Sequence, residues 1–189
     1  MKVLYIHGYN SNANSSTAKL FQKVAGEKFE VHTIEYNQEK PIEALNNIRK
    51  YIKEFKIDLV IGTSLGGFLT MNLFGFKRIA INPCFLPSVE LTKIGYEGPI
   101  DEYKELENEL KDNVDETDWD SCLGCFAPND ELLGLKYKED FDKVFQKSKL
   151  IPGGHRATEE AVKKIVNEYI PDFLNYIQEW LFYYKGTQI

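Results

Sequence analysis

Six short runs rich in β-branched and aromatic residues, separated by longer stretches of helical periodicity, leave this chain few folds to choose from. The runs span residues 2–7, 30–36, 58–62, 78–82, 120–127 and 148–151. Alternation of this kind is the pattern of βαβ units and a mostly parallel sheet. Several runs are apolar almost throughout, as strands covered by helices on both faces must be. Helices are expected over 16–25, 42–55, 65–74, 138–146 and 158–184. In the second, Ile42, Leu45, Ile48, Ile52 and Phe55 recur every three or four residues and form one apolar face, with Pro41 at the start, where its missing N–H costs nothing. In the last, Ala161, Ile165, Val166, Tyr169 and Ile170 begin a similar face, and Pro171 predicts a kink. Its aromatic end, Leu181-Phe182-Tyr183-Tyr184, would cover the sheet or meet a second subunit in a homodimer.

One segment, 83–118, is too long for an ordinary connection and reads as an excursion. Prolines and glycines break its first part, and a helix is expected over 101–111. Residues 101–118 hold nine acids against two lysines, which leaves the rest of a chain of net charge −6 close to neutral. If that acidity overhung a site, it would disfavour anionic substrates. No repeat, linker or low-complexity tract divides the 189 residues, so 1–189 reads as one domain with 83–118 as a cap within it.

Composition excludes several classes of function. Aromatic residues make up 13% of the chain, which argues against disorder, and Lys and Arg do not cluster as phosphate neutralisation would require, so nucleic acid is not an expected partner. No apolar stretch approaches a membrane span, and the start, Met1-Lys2-Val3-Leu4-Tyr5-Ile6, is too short for a signal-peptide core, so a cytoplasmic protein without membrane partners is expected. Three cysteines, Cys84, Cys122 and Cys125, cannot pair completely. The Cys122-Leu-Gly-Cys125 spacing lies inside a strand-like run, where thiols pack as small hydrophobes, and neither a metal nor an organic cofactor is expected.

The strongest chemical signal is Gly62-Thr63-Ser64-Leu65-Gly66 at the end of one buried strand and the start of a helix. Such a turn brings strand and helix so close that only glycine fits two residues either side of the serine, and the Leu65 N–H at the helix start would face an oxyanion. A serine needs a base. Of three histidines, His155 follows Gly153-Gly154 after the last strand, where open α/β sheets gather their sites, whereas His32 lies within a strand and His7 ends the first one. The base needs an orienting acid. Asp130 directly follows the 120–127 strand, with Glu131, Asp118 and Asp120 as alternatives, and the order Ser64, Asp130, His155 is that of α/β-hydrolases.

With these landmarks the chain resembles the YqiA-like small bacterial esterases of the α/β-hydrolase superfamily. The match runs through Tyr5-Ile6-His7-Gly8-Tyr9-Asn10-Ser11, Gly62-Thr63-Ser64-Leu65-Gly66-Gly67, Ile81-Asn82-Pro83, Asn129-Asp130-Glu131 and Gly153-Gly154-His155. Two turns depart from the family: its Gly-Asp-Glu is Asn129-Asp130-Glu131 here, and its Gly-Gly-Asp-His has lost the aspartate. The resemblance implies a compact α/β-hydrolase lacking the superfamily's usual first two strands, with a triad at Ser64, Asp130 and His155. By the same likeness, the residue after Gly8 in the His-Gly-x turn, Tyr9, would supply the second oxyanion N–H; Asn10, Ser11 and Asn12 follow it in the loop, where they would line the pocket. The expected activity is hydrolysis of small acyl esters through an acyl-enzyme. The rivals are an acyl thioesterase or small amidase with the same triad, and a binding protein that kept the fold and lost the chemistry.

Overall fold

The computed structural model describes residues 1–114 and 116–177. Every expected run folds as a strand: β1 (Lys2–Ile6), β2 (Glu30–Thr33), β3 (Leu59–Thr63), β4 (Arg78–Ile81), β5 (Cys122–Phe126) and β6 (Ser148–Leu150). They form one sheet in the order β2-β1-β3-β4-β5-β6, and every neighbouring pair is parallel. The helices are α1 (Ser16–Ala25), α2 (Pro41–Phe55), α3 (Leu65–Met71), α4 (Pro87–Lys93), α5 (Asp101–Asp112), α6 (Glu116–Trp119), α7 (Lys136–Phe145) and α8 (Glu159–Lys164).

Side chains alternate across each strand and build two cores. Val3, Tyr5, Leu59, Ile61, Ile79 and Ile81 pack with α1 and α8, while Leu4, Ile6, Val60 and Ala80 pack with α2, α3, α5 and α7. The same alternation sends Cys122 into one core and Cys125 into the other. All three cysteines are free and buried, and burial raises their thiols, that of Cys122 to about 12. Two thiols on opposite faces of one strand cannot meet at one ion.

The excursion after β4 divides into two parts. Its first part carries α4, where prolines and glycines suggest a break in the sequence; Pro87 opens that helix instead of interrupting it. Its second part, α5, is the helix that returns the chain to the start of β5. The Tyr103 hydroxyl donates to the Gln38 carbonyl at 2.5 Å and the Glu102 carboxylate accepts the Ile42 N–H at 3.1 Å, so α5 lies along α2 on the sheet's flank. Just before β5, Asp118 meets Arg78, the first residue of β4, at 2.5 Å.

Where Pro171 predicts a kink, the chain forms a π-helical turn over Ile165–Tyr169 and then continues helically over 170–177. The Ile170 N–H bonds to the carbonyl five residues back, Ile165. A wider turn just before a proline takes up the register that its missing N–H and bulky ring would otherwise break. The sequence Leu181-Phe182-Tyr183-Tyr184 lies outside the described residues. Among the described residues no helix is long and apolar enough to cross a membrane.

Candidate active site

The strand order places a topological switch between β1 and β3: the chain leaves β1 toward β2 on one side and β3 toward β4 on the other. Crevices open beyond the carboxyl ends of strands at such points. Gly8 and Tyr9 follow β1, Ser64 follows β3, Asn82 follows β4, Asp130 lies just beyond β5, and His155 lies beyond β6.

Ser64 sits at φ 54° and ψ −117°, a conformation rarely adopted by residues with a side chain. It is pinned there from several sides. Its N–H donates to Ile81 O at 3.0 Å, and its carbonyl accepts the N–H groups of Phe68 and Cys84, each at 3.1 Å. A side chain on Gly62 would collide with the Gly66 carbonyl, and one on Gly66 with the carbonyls of Ile6 and His7, so both glycines are demanded by close approach. A Cβ on Gly8 would lie 3.1 Å from that of Ser64, which puts the loop after β1 directly against the serine.

His155 Nε2 lies 3.0 Å from Ser64 Oγ, and its Nδ1 lies 2.9 Å from Asp130 Oδ2. With the proton on Nδ1, the ring donates to Asp130 and its other nitrogen accepts from the serine hydroxyl. The other Asp130 oxygen accepts the N–H groups of Leu132 and Leu133 at 2.9 and 2.8 Å, which turns Oδ2 toward the ring. Burial by itself would raise the Asp130 carboxyl, but the bonds from His155, Leu133 and Leu132 outweigh it and hold the group below the usual carboxylate range.

The backbone of His155 is fastened by two residues whose part was not legible from their own positions. Glu131 Oε2 accepts the His155 N–H at 3.0 Å. Asn82 Nδ2 donates to the carbonyls of Gly154 and His155, both at 3.1 Å, while its Oδ1 accepts the Ala127 N–H at 2.8 Å. Asn82 thus ties the loops after β4, β5 and β6 together. The available signal was its type: asparagine tolerates the positive φ of 41° that this position requires.

The remaining candidates fall elsewhere. Asp118 pairs with Arg78, and Asp120 pairs with Lys147 at 2.8 Å, both near the starts of β4–β6 and away from the serine. His32 bonds to Tyr51 and Glu30 on the edge strand β2. His7 is buried and stacks on Tyr36 at 4.5 Å, where it shapes the loop that carries Gly8 and Tyr9. Among the described residues no three His, Cys, Asp or Glu side chains converge as a metal site.

Two compartments meet at Ser64, and Tyr9 and His155 border both. One, about 110 Å³, lies beneath α4 and is lined by Leu65, Cys84, Leu91, Ile94 and Leu133. The other, about 210 Å³, is polar and lined by Asn10, Ser11, Ser15, Thr17, Thr63 and Arg156. Among the described residues none of 101–114 borders either, nor does Asp118, so the described acids of this segment do not overhang the serine as the sequence allowed. Those carboxylates do structural work instead: Glu107 accepts the N–H and hydroxyl of Ser88 at 2.7 and 2.9 Å, and Glu102 holds the start of α2. The acid that borders the smaller compartment is Glu90, on α4 itself, which meets Lys136 at 2.7 Å, Lys93 at 2.9 Å and the Tyr137 hydroxyl at 2.5 Å. Burial alone would raise Glu90, but these three donors bring it down to about 2.

Comparison with known proteins agrees with this architecture. A family model described as an uncharacterised protein family (UPF0227) matches residues 2–168. No curated protein matches the chain. Among solved structures, Est1E from Butyrivibrio proteoclasticus superposes with a TM-score of 0.70 at 19% identity, covering 92% of this chain and 88% of that one. The esterase domain of a Rhodothermus marinus protein gives 0.64 at 17%, covering 87% and 82%. Alpha/beta hydrolase domain-containing protein 10 from mouse gives 0.63 at 15%, covering 93% and 90%. At these identities the likeness establishes the α/β-hydrolase fold.

Proposed function

We propose that this chain, which belongs to the YqiA-like family UPF0227, is a serine hydrolase that cleaves small carboxylic esters through an acyl-enzyme. The observation that carries this reading is the unbroken chain of hydrogen bonds from Asp130 through His155 to Ser64, with the serine held in a strained turn. Ser64 Oγ attacks the acyl carbonyl while His155 Nε2 takes its proton. Asp130 keeps the ring in the required tautomer and stabilises the imidazolium. The carbonyl oxygen becomes an oxyanion beside the N–H groups of Tyr9 and Leu65. As the first residue of α3, Leu65 has no carbonyl within the helix to receive its N–H. His155 then protonates the leaving alcohol, and water, activated by the same ring, releases the acid and restores Ser64.

A binding protein without chemistry would have no need to hold the serine in a costly conformation with a base and an acid aligned behind it. The test is labelling by a fluorophosphonate probe together with hydrolysis of nitrophenyl esters from acetate to decanoate. Ser64→Ala should abolish both while leaving the circular dichroism spectrum unchanged, with a loss of ~10⁴-fold or more. Retention of most ester hydrolysis by this variant would remove Ser64 from the mechanism.

A further inference from the structure

The tetrahedral carbon formed on Ser64 must send its acyl group and its leaving alcohol in different directions, and the two compartments that meet there differ in chemistry. The one beneath α4 is mainly apolar, its two charged side chains, Glu90 and Lys93, being paired with each other, and at its border Ile94 and Leu132 are 54% and 56% exposed. Aliphatic side chains left bare at the edge of an apolar pocket are covered when hydrocarbon occupies it. The other compartment is walled by hydroxyls from Ser15, Ser16, Thr17 and Thr63 and contains no Asp or Glu. Arg156 stands in its wall and makes no ion pair among the described residues. Asp130 is engaged with the His155 ring, Glu131 with the His155 N–H, and Glu159 with Lys23 and Lys163. Placing hydrocarbon in this compartment would strip water from the hydroxyls and the guanidinium without replacement, which is costly.

We propose that the substrate is an ester of an apolar acid with an alcohol that carries a carboxylate or phosphate. The acyl group enters the compartment beneath α4, and the anionic alcohol enters the polar compartment, where Arg156 binds its charge. This assignment rests on the hydrolase reading above and reverses the charge preference expected from the sequence, because the groups that face Ser64 on this side are cationic and neutral. A guanidinium forms paired hydrogen bonds with either anion.

The experiment compares phenyl butyrate with 3-carboxyphenyl butyrate, which share an acyl group and have similar leaving phenols. The wild-type protein should favour the carboxylated ester in kcat/KM by about fivefold at low salt, the scale of one ion pair at a partly open site. The preference should narrow toward ~0.5 M salt. Arg156→Gln should bring the ratio to about one, mainly through KM, Arg156→Lys should keep part of it, and Arg156→Glu should invert it. Fluorophosphonate labelling of the same preparations reads the hydrolase chemistry separately. No labelling and no hydrolysis in the wild-type protein would overturn both readings. Labelling with hydrolysis but no wild-type preference for the carboxylated ester, or an Arg156→Gln variant that keeps the wild-type ratio, would overturn the compartment assignment alone.

Discussion

At Ser64 the backbone stores strain, and strain of this kind costs an ordinary residue of order 1–3 kcal/mol. Glycine adopts such angles freely. Ser64→Gly should therefore raise stability by about 1 kcal/mol in urea unfolding while losing all probe labelling, whereas Ser64→Ala keeps the strain and should show no such gain. A glycine variant no more stable than the alanine one would mean that the turn is relaxed. The adjacent acids make a second contrast. Asp130→Asn removes the charge behind the imidazole and favours the wrong tautomer, so kcat/KM should fall ~10⁴-fold. Glu131→Gln keeps a carbonyl oxygen for the His155 N–H and should retain most activity. Both acids were candidates in the sequence, since neighbours in a loop share every positional clue. What separates them is the turn in which the N–H groups of Leu132 and Leu133 orient Asp130.

The helix α4 borders the smaller compartment at Ser64 and is latched to α7 through Glu90, Lys136 and Tyr137. The folded-state ionisation of Glu90 is depressed to about 2, below the usual glutamate value of 4.5. Its contribution to stability is therefore fully present above the unfolded value and disappears as pH falls toward about 2. Glu90→Gln should thus be less stable than the wild-type protein at pH 7, and the gap should close between pH 4.5 and about 2. Urea titrations across that range check it, and a gap independent of pH would remove the charge from the latch. The helix itself escaped the sequence reading because proline and glycine mark both breaks and beginnings. Pro87 occupies the opening of a helix, where its missing donor has no consequence. In α5, by contrast, Tyr103, Leu106 and Leu110 recur at helical spacing and are buried, and the expected and observed helices nearly coincide.

Across the whole molecule, Arg78 joins the start of β4 to the end of α3 and the entry to β5, donating to the Met71 carbonyl, Asp118 and Ser121 at 2.7, 2.5 and 2.7 Å. Its side chain is fully buried. Arg78→Ala should cost about 3–5 kcal/mol of stability, measured by urea unfolding, because it removes a buried cation that serves three acceptors at once. A loss below about 1 kcal/mol would show that water or neighbouring groups replace it. The site lies at the opposite ends of the strands, so probe labelling of the folded fraction should persist. Strands, most helices and the glycine-flanked serine were legible in the sequence because each depends on residues a few positions apart: side-chain periodicity, turn chemistry and the close approach at Gly62 and Gly66. Only the tertiary structure decided the strand order, and with it the convergence of residues 64, 130 and 155, the binding of three loops by Asn82, and the fate of the acids in 101–118. Those acids lie within one segment of the chain, yet which of them met Ser88, Ile42 or Arg78 depended on how α5 and α6 packed, and no local pattern encodes those contacts.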